Sequence, residues 1–202
     1  HLAAERLAPG VLCCEHLLPG GERQGDFTLD QGRGALPELA EAPPGDPAGW
    51  LFLDTETSGL AGGTGTWVFQ VGVLRPQAEG WRLRQYLLAR LDAEPDFLTA
   101  VAAEVAGASL LVTYNGKSFD RPLLATRFRL AGLADPLTEI PHLDLLARVR
   151  RAFAGGWPDC RLASAEAQMQ AIGGRLELQS GVGNGTTARL SLDLPHPGGR
   201  AH

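Results

Sequence analysis

Trp50-Leu51-Phe52-Leu53-Asp54-Thr55-Glu56 runs from a wholly apolar stretch into two carboxylates two positions apart. Alternate residues of a strand face the same way, so Asp54 and Glu56 can reach one spot at the end of a buried strand. Two acids held that close repel each other and lose solvation unless something positive lies between them. Mg²⁺ and Mn²⁺ are hard cations that prefer carboxylate oxygens. Taken alone, an Asp-x-Glu is more often a strand end with two solvated acids. The remainder of the chain reverses those odds.

Outward from this stretch, Ser58–Gly65 reads as a glycine-rich turn and Thr66–Leu74 as a second strand. After a turn at Pro76–Gly80, Trp81, Leu83 and Leu87 alternate with Arg82 and Arg84 in a third strand. Short turns between three strands predict an antiparallel meander. Phe97, Leu98, Val101 and Val105 then share one face of a helix that begins near Pro95. Ser109–Tyr114 reads as another buried strand, and strand–helix–strand connections favour a parallel crossover. Ser118 is the expected N-cap of a helix over 119–130, and a further helix is expected over His142–Phe153.

Asp120 is the third acid of interest, in Val112-Thr113-Tyr114-Asn115-Gly116-Lys117-Ser118-Phe119-Asp120. A carboxylate in a first helical turn is stabilised by the helix dipole, which would explain it without any function. If the strand before it lies parallel and adjacent to the first, three acids from two strand ends form a metal cage. Asn115 and Lys117 stand in the loop nearby, and Lys117 is the one lysine of the chain.

Four segments now become recognisable: Leu53-Asp54-Thr55-Glu56-Thr57-Ser58-Gly59-Leu60, the turn Gly62-Gly63-Thr64-Gly65-Thr66, Tyr114-Asn115-Gly116-Lys117-Ser118-Phe119-Asp120, and His142-Leu143-Asp144-Leu145-Leu146. Together, at this spacing, they resemble the YprB-like ribonuclease H-like family, within the DnaQ-like, DEDD-type 3′–5′ exonuclease superfamily. The resemblance runs from about Trp50 to Glu166. It implies an α/β fold: a ribonuclease H-like mixed sheet, an antiparallel three-strand meander plus a parallel strand, flanked by helices. It also implies metal-dependent hydrolysis of phosphodiester bonds at a nucleic-acid end, with Mg²⁺ or Mn²⁺ as cofactor. Asp54 and Glu56 match the first acidic motif and Asp120 the second, as catalytic and metal-binding residues. Thr57, Asn115 and Lys117 are the substrate-binding candidates, and Asp144 has a supporting or structural role.

The superfamily pattern also needs a fourth carboxylate on a late helix, preceded by a His or Tyr that acts as general base. No such motif follows Glu166, and Asp159, Glu166 and Asp193 have no spacing that recommends them. A base contributes roughly 10²–10⁴-fold in rate, so the expectation is one bound ion with weak or absent catalysis. Residues 170–195 instead resemble the C-terminal end of a histidine-kinase ATPase domain, with Gly181-Val182-Gly183-Asn184-Gly185-Thr186 matching its last glycine box. The acidic and asparagine motifs that hold Mg-nucleotide in such kinases are absent. A β-hairpin is the better reading: Leu176 and Leu178 face Leu190, Leu192 and Leu194 across a Gly183-Asn184-Gly185 turn.

The expected organisation is therefore an irregular Gly/Pro-rich extension over 1–49, with a short strand near Asp26–Leu29. A truncated exonuclease-type domain follows over 50–166, and the hairpin tail over 167–202. At 202 residues and 44% hydrophobic, the chain can bury a sizeable core. A net charge of −5 does not advertise nucleic-acid binding, although local basic patches can do that work. Arg121, Arg127 and Arg129 on one expected helix, and Arg148, Arg150 and Arg151 on the next, are candidates for a substrate track. Cys13, Cys14 and Cys160 fit neither a zinc spacing nor a disulfide framework, which points to reduced thiols in a cytoplasmic protein. No apolar run approaches the roughly 18 residues that span a bilayer. The partner expected is nucleic acid, DNA or RNA, with no membrane and no oligomeric state specified. The alternative is a non-catalytic nucleic-acid-binding or interaction module that keeps the fold.

Overall fold

The computed structural model describes residues 4–24, 27–30, 46–59, 65–153, 159–165, 175–181 and 185–191. Glu166, Leu192, Asp193, Leu194 and residues 60–64 and 182–184, on which expectations from the sequence fall, lie outside them. In chain order, β1 (Ala4–Ala8) and β2 (Val11–Leu18) form a hairpin, and β3 (Arg23–Gln24) pairs with β4 (Phe27–Thr28). The meander is β5 (Trp50–Thr57), β6 (Val68–Gln77) and β7 (Gly80–Leu88). Helix α1 (Glu94–Val105) leads to β8 (Leu110–Thr113), and α2 (Asp120–Leu130) to β9 (His142–Asp144) and α3 (Leu145–Phe153). Strands β10 (Arg175–Gly181) and β11 (Gly185–Ser191) pair with each other as an antiparallel hairpin, as the alternating leucines predict.

Seven strands make one mixed sheet in the order β1-β2-β7-β6-β5-β8-β9. The β5–β8 and β8–β9 pairs are parallel and the other four antiparallel. Three expectations need correction. Residues 4–18 are no irregular extension but two strands that widen the sheet. Their flanking Pro-Gly pairs are turns at the ends of β2, whose Val11 and Cys13 are buried on the sheet face shared with Tyr86 and Leu88. Gly10 turns that hairpin at φ 89°, where a Cβ would stand 2.9 Å from the Ala93 Cβ. Next, His142–Asp144 is a strand rather than the start of a helix, because its backbone pairs with Leu111–Thr113. Finally, Ser118 does not cap α2: Phe119 occupies that position without a side-chain hydrogen bond, and Asp120 is the first helical residue.

Helices α1 and α2 pack on the sheet face that carries Leu51, Leu53, Val71 and Val73. Phe97, Leu98, Val101 and Val105 of α1 are fully buried there, each stabilising by about 1.5–3 kcal/mol relative to exposure. A smaller core on the opposite face joins Trp50, Leu110, Val112 and Leu143, with Phe52 and Leu145 against it. Between α1 and the meander, buried Glu104 accepts from Arg82 Nη2 at 2.7 Å, Arg84 Nη1 at 3.0 Å and the Tyr86 hydroxyl at 2.9 Å, with Arg75 Nε at 3.5 Å. No helix among the described residues is long and apolar enough to cross a membrane.

Candidate active site at the carboxyl ends of the parallel strands

Parallel pairing brings the carboxyl ends of β5, β8 and β9 to one edge of the sheet. Phe52, Val112 and Leu143 lie side by side, with Thr113 paired to Asp144 one residue on. The chain therefore turns polar at the same level on all three strands: Asp54 and Glu56 on β5, the 114–119 loop after β8, and Asp144 ending β9. By strand alternation Asp54 and Glu56 continue the Phe52 face and Thr55 the Leu53 face. Asp120, at the start of α2, approaches from the helix-covered side.

Asp54 retains an exposed surface, yet its carboxyl is pushed up to about 6. The surrounding protein is the main cause, followed by the charge of Asp120 and then that of Glu56, with the Thr55 backbone amide pulling the other way. Asp120 is buried, and burial holds its carboxyl above the ordinary range while a hydrogen bond from the Thr55 hydroxyl opposes the shift. Asp54, Glu56 and Asp120 are thus brought into electrostatic reach of one another. Their donor chemistry, three carboxylates, fits a hard divalent cation. With the side chains as they stand, no three His, Cys, Asp or Glu groups among the described residues are arranged to hold an ion; the Asp120 carboxylate is engaged by Thr55 instead. Thr57 donates its hydroxyl to the Gly59 carbonyl at 3.0 Å, closing the turn that leaves β5.

The loop between β8 and α2 is built around Asp144. One carboxylate oxygen accepts the Asn115 amide at 2.8 Å and the Leu146 amide at 3.0 Å, and the other accepts the Lys117 amide at 3.0 Å. One buried acid therefore anchors the loop leading to Asp120 and caps α3 at the same time. Asn115 adopts φ 67°, a left-handed conformation that asparagine tolerates. Gly116 donates to Thr113 Oγ1 at 3.2 Å, and a Cβ there would fall 2.4 Å from that oxygen. Thr113 Oγ1 also shares a hydrogen bond with His142 Nε2 at 2.8 Å. Burial, and then Lys117, holds the His142 ring below its ordinary range. The Lys117 side chain is exposed beside a cleft next to β9.

The arginines divide. Arg127 is no part of an exposed track: it is 3% exposed, paired with Glu94 at 2.5 and 2.6 Å, and stacked 4.0 Å over the Trp67 ring. Arg121 is tied to Asp135 at 2.6 Å, whereas Arg148 and Arg151 line the cleft that Lys117 borders. Thr55 and Thr113, which bond Asp120 and His142, carry no signal in the sequence. A threonine inside a strand is ordinary by composition, and only the packing of α2 against the sheet gives the Thr55 hydroxyl its acid.

A mixed sheet with a three-strand meander, parallel strands beyond it and acids at their carboxyl ends is a ribonuclease H-like α/β architecture. The profile of the RNase H superfamily matches residues 51–180, and the chain belongs to that superfamily. It is 41% identical over 106 residues to the protein YprB of Bacillus subtilis (strain 168), a match covering 51% of this chain and 25% of that protein. Among solved structures it is similar to E. coli exonuclease I in complex with a dT13 oligonucleotide. There the TM-score is 0.44 and the identity 19%, over 57% of this chain and 34% of that one. The zinc-bound form of the E. coli exonuclease I–ssDNA complex is similar at TM-score 0.45 and 20% identity, over 60% and 34%. The chain thus spans about a quarter of YprB and a third of exonuclease I.

Proposed function

We propose that this domain hydrolyses phosphodiester bonds at a nucleic-acid end, removing nucleotides in the 3′–5′ direction with a divalent ion held by Asp54, Glu56 and Asp120. The observation that carries this reading is the parallel pairing that brings Asp54 and Glu56 of β5 near Asp120, after β8, at the carboxyl ends of the strands, close enough for their charges to act on one another. Evolution tolerates such repulsion where charge does work, and a cation among the three acids relieves it. A bound Mg²⁺ or Mn²⁺ supplies Lewis-acid stabilisation of the charge developing on the phosphate. The chain's own residues do the positioning. Thr55 steadies Asp120, Asp144 fixes the 115–117 loop, and Asn115 and Lys117 present that loop to the substrate backbone. Thr57 shapes the turn beside the acids.

The alternative, a nucleic-acid-binding module without cleavage, draws support from the engagement of Asp120 by Thr55. A 5′-labelled oligonucleotide incubated with Mn²⁺ separates the two. Shortening one nucleotide at a time, at whatever rate, and lost in Asp54→Ala, is the expected result. Manganese binding in calorimetry that Asp54→Ala leaves unchanged removes the acids from the site.

A further inference from the structure

Beside the acids lies a cleft of the opposite sign. It has a volume of about 380 Å³ between α3, edge strand β9 and β8, and its polar lining is Lys117, His142, Asp144, Arg148 and Arg151. Asp144 is the one acid of that lining, and both its oxygens already accept backbone amides from Asn115, Lys117 and Leu146. Its charge is therefore directed into the protein's own loop. Arg148 and Arg151 stand three apart on α3 and so share a helix face.

Two features say what the cleft is shaped for. It is elongated: Lys117 borders it beyond the carboxyl end of β8 and Leu110 at the amino end. The four residues of β8 rise about 3.3 Å each, a span longer than one phosphate. Leu110, Pro141, Leu143 and Ala147 are the apolar part of its lining, which suits sugar and base faces between charged contacts rather than a small hydrated anion. One end also opens on the loop that leads to Asp120, three residues after Lys117.

We propose that this cleft is a backbone track for a single nucleic-acid strand, in which Lys117, Arg148 and Arg151 contact successive phosphates of the strand whose end reaches the carboxylates. The inference rests on the nuclease reading for the direction of the strand, but strand binding itself is testable without metal.

The experiment is fluorescence anisotropy of a labelled oligothymidylate in EDTA across a salt series, using the full chain. An Arg148→Ala/Arg151→Ala double variant is expected to bind roughly tenfold more weakly. Two lost phosphate contacts should flatten the log–log salt dependence by about 1.4, while Mn²⁺ affinity in calorimetry stays as in the parent. The Arg148→Lys/Arg151→Lys variant keeps the charges and is expected to retain most of the slope, which guards against a fold defect in the alanine variant. Unchanged affinity and slope in the double alanine variant overturn the track. So does displacement of the strand by inorganic phosphate at equal phosphate concentration, which marks a small-anion site. Loss of slope in a chain that binds no Mn²⁺ upholds the track and removes the nuclease reading.

Discussion

Glu104, on helix α1, and Asp54, on strand β5, are two acids of one domain treated in opposite ways. Glu104 is buried, and three arginines and a tyrosine hydroxyl converge on it from β6 and β7. Asp54, at the end of β5, meets two further acids, and its carboxyl rises to about 6. A fold that can ring one carboxylate with cations has the means to do the same for another. The charges that raise Asp54 are those of two further acids, Asp120 and Glu56, at the open end of the parallel strands. An acid ringed by cations reads as scaffold, whereas one raised by neighbouring acids is a candidate for chemistry.

Removing the compensated acid should cost most. Glu104→Ala leaves Arg75, Arg82 and Tyr86 without their shared partner, and a loss of about 3 kcal/mol is expected in urea unfolding. A loss below about 1 kcal/mol would show the network to be solvated and the contrast overstated. Asp144 lies between the extremes, a buried acid satisfied by amides rather than arginines. Asp144→Ala should cost about 2 kcal/mol and weaken Mn²⁺ binding through the freed loop, whereas a surface acid would move neither.

Asp54→Asn should stabilise the metal-free protein. A carboxyl raised above its ordinary 3.8 favours the protonated native state, a contribution complete below about pH 4 and lost as pH rises through about 6. Above that, the charged side chain weighs against folding. The gain at pH 8 is expected to be about 1 kcal/mol, since Asp54 keeps an exposed surface that screens the repulsion, and to vanish near pH 4. A destabilised variant at pH 8 would place Asp54 among the compensated acids.

Much of this architecture was legible in order along the chain. The apolar stretch before Asp54, the alternation of Trp81, Leu83 and Leu87, and the helical stripe of Phe97, Leu98, Val101 and Val105 each carry a period that only one element satisfies. What stayed hidden depends on distant partners. Val11–Leu18 is a strand because β7 offers it an edge, and His142–Asp144 because β8 does; three residues cannot declare a period. Arg127 reads as a surface cation until Glu94 and Trp67 close over it. Among the candidate acids, the spacing identified Asp54 and Glu56 as neighbours, but the Thr55 hydroxyl on Asp120 required α2 to be docked. The three backbone amides on Asp144 likewise required β9 to be seen as a strand.

A divalent ion is expected to answer the repulsion at Asp54. NMR titration of the Asp54 carboxyl carbon, in the full chain with and without Mg²⁺, tests it most directly. The expected midpoint is near pH 6 without the ion, falling to the ordinary carboxylate range or below once Mg²⁺ is present. A midpoint near 6 that saturating Mg²⁺ leaves in place would contradict the account.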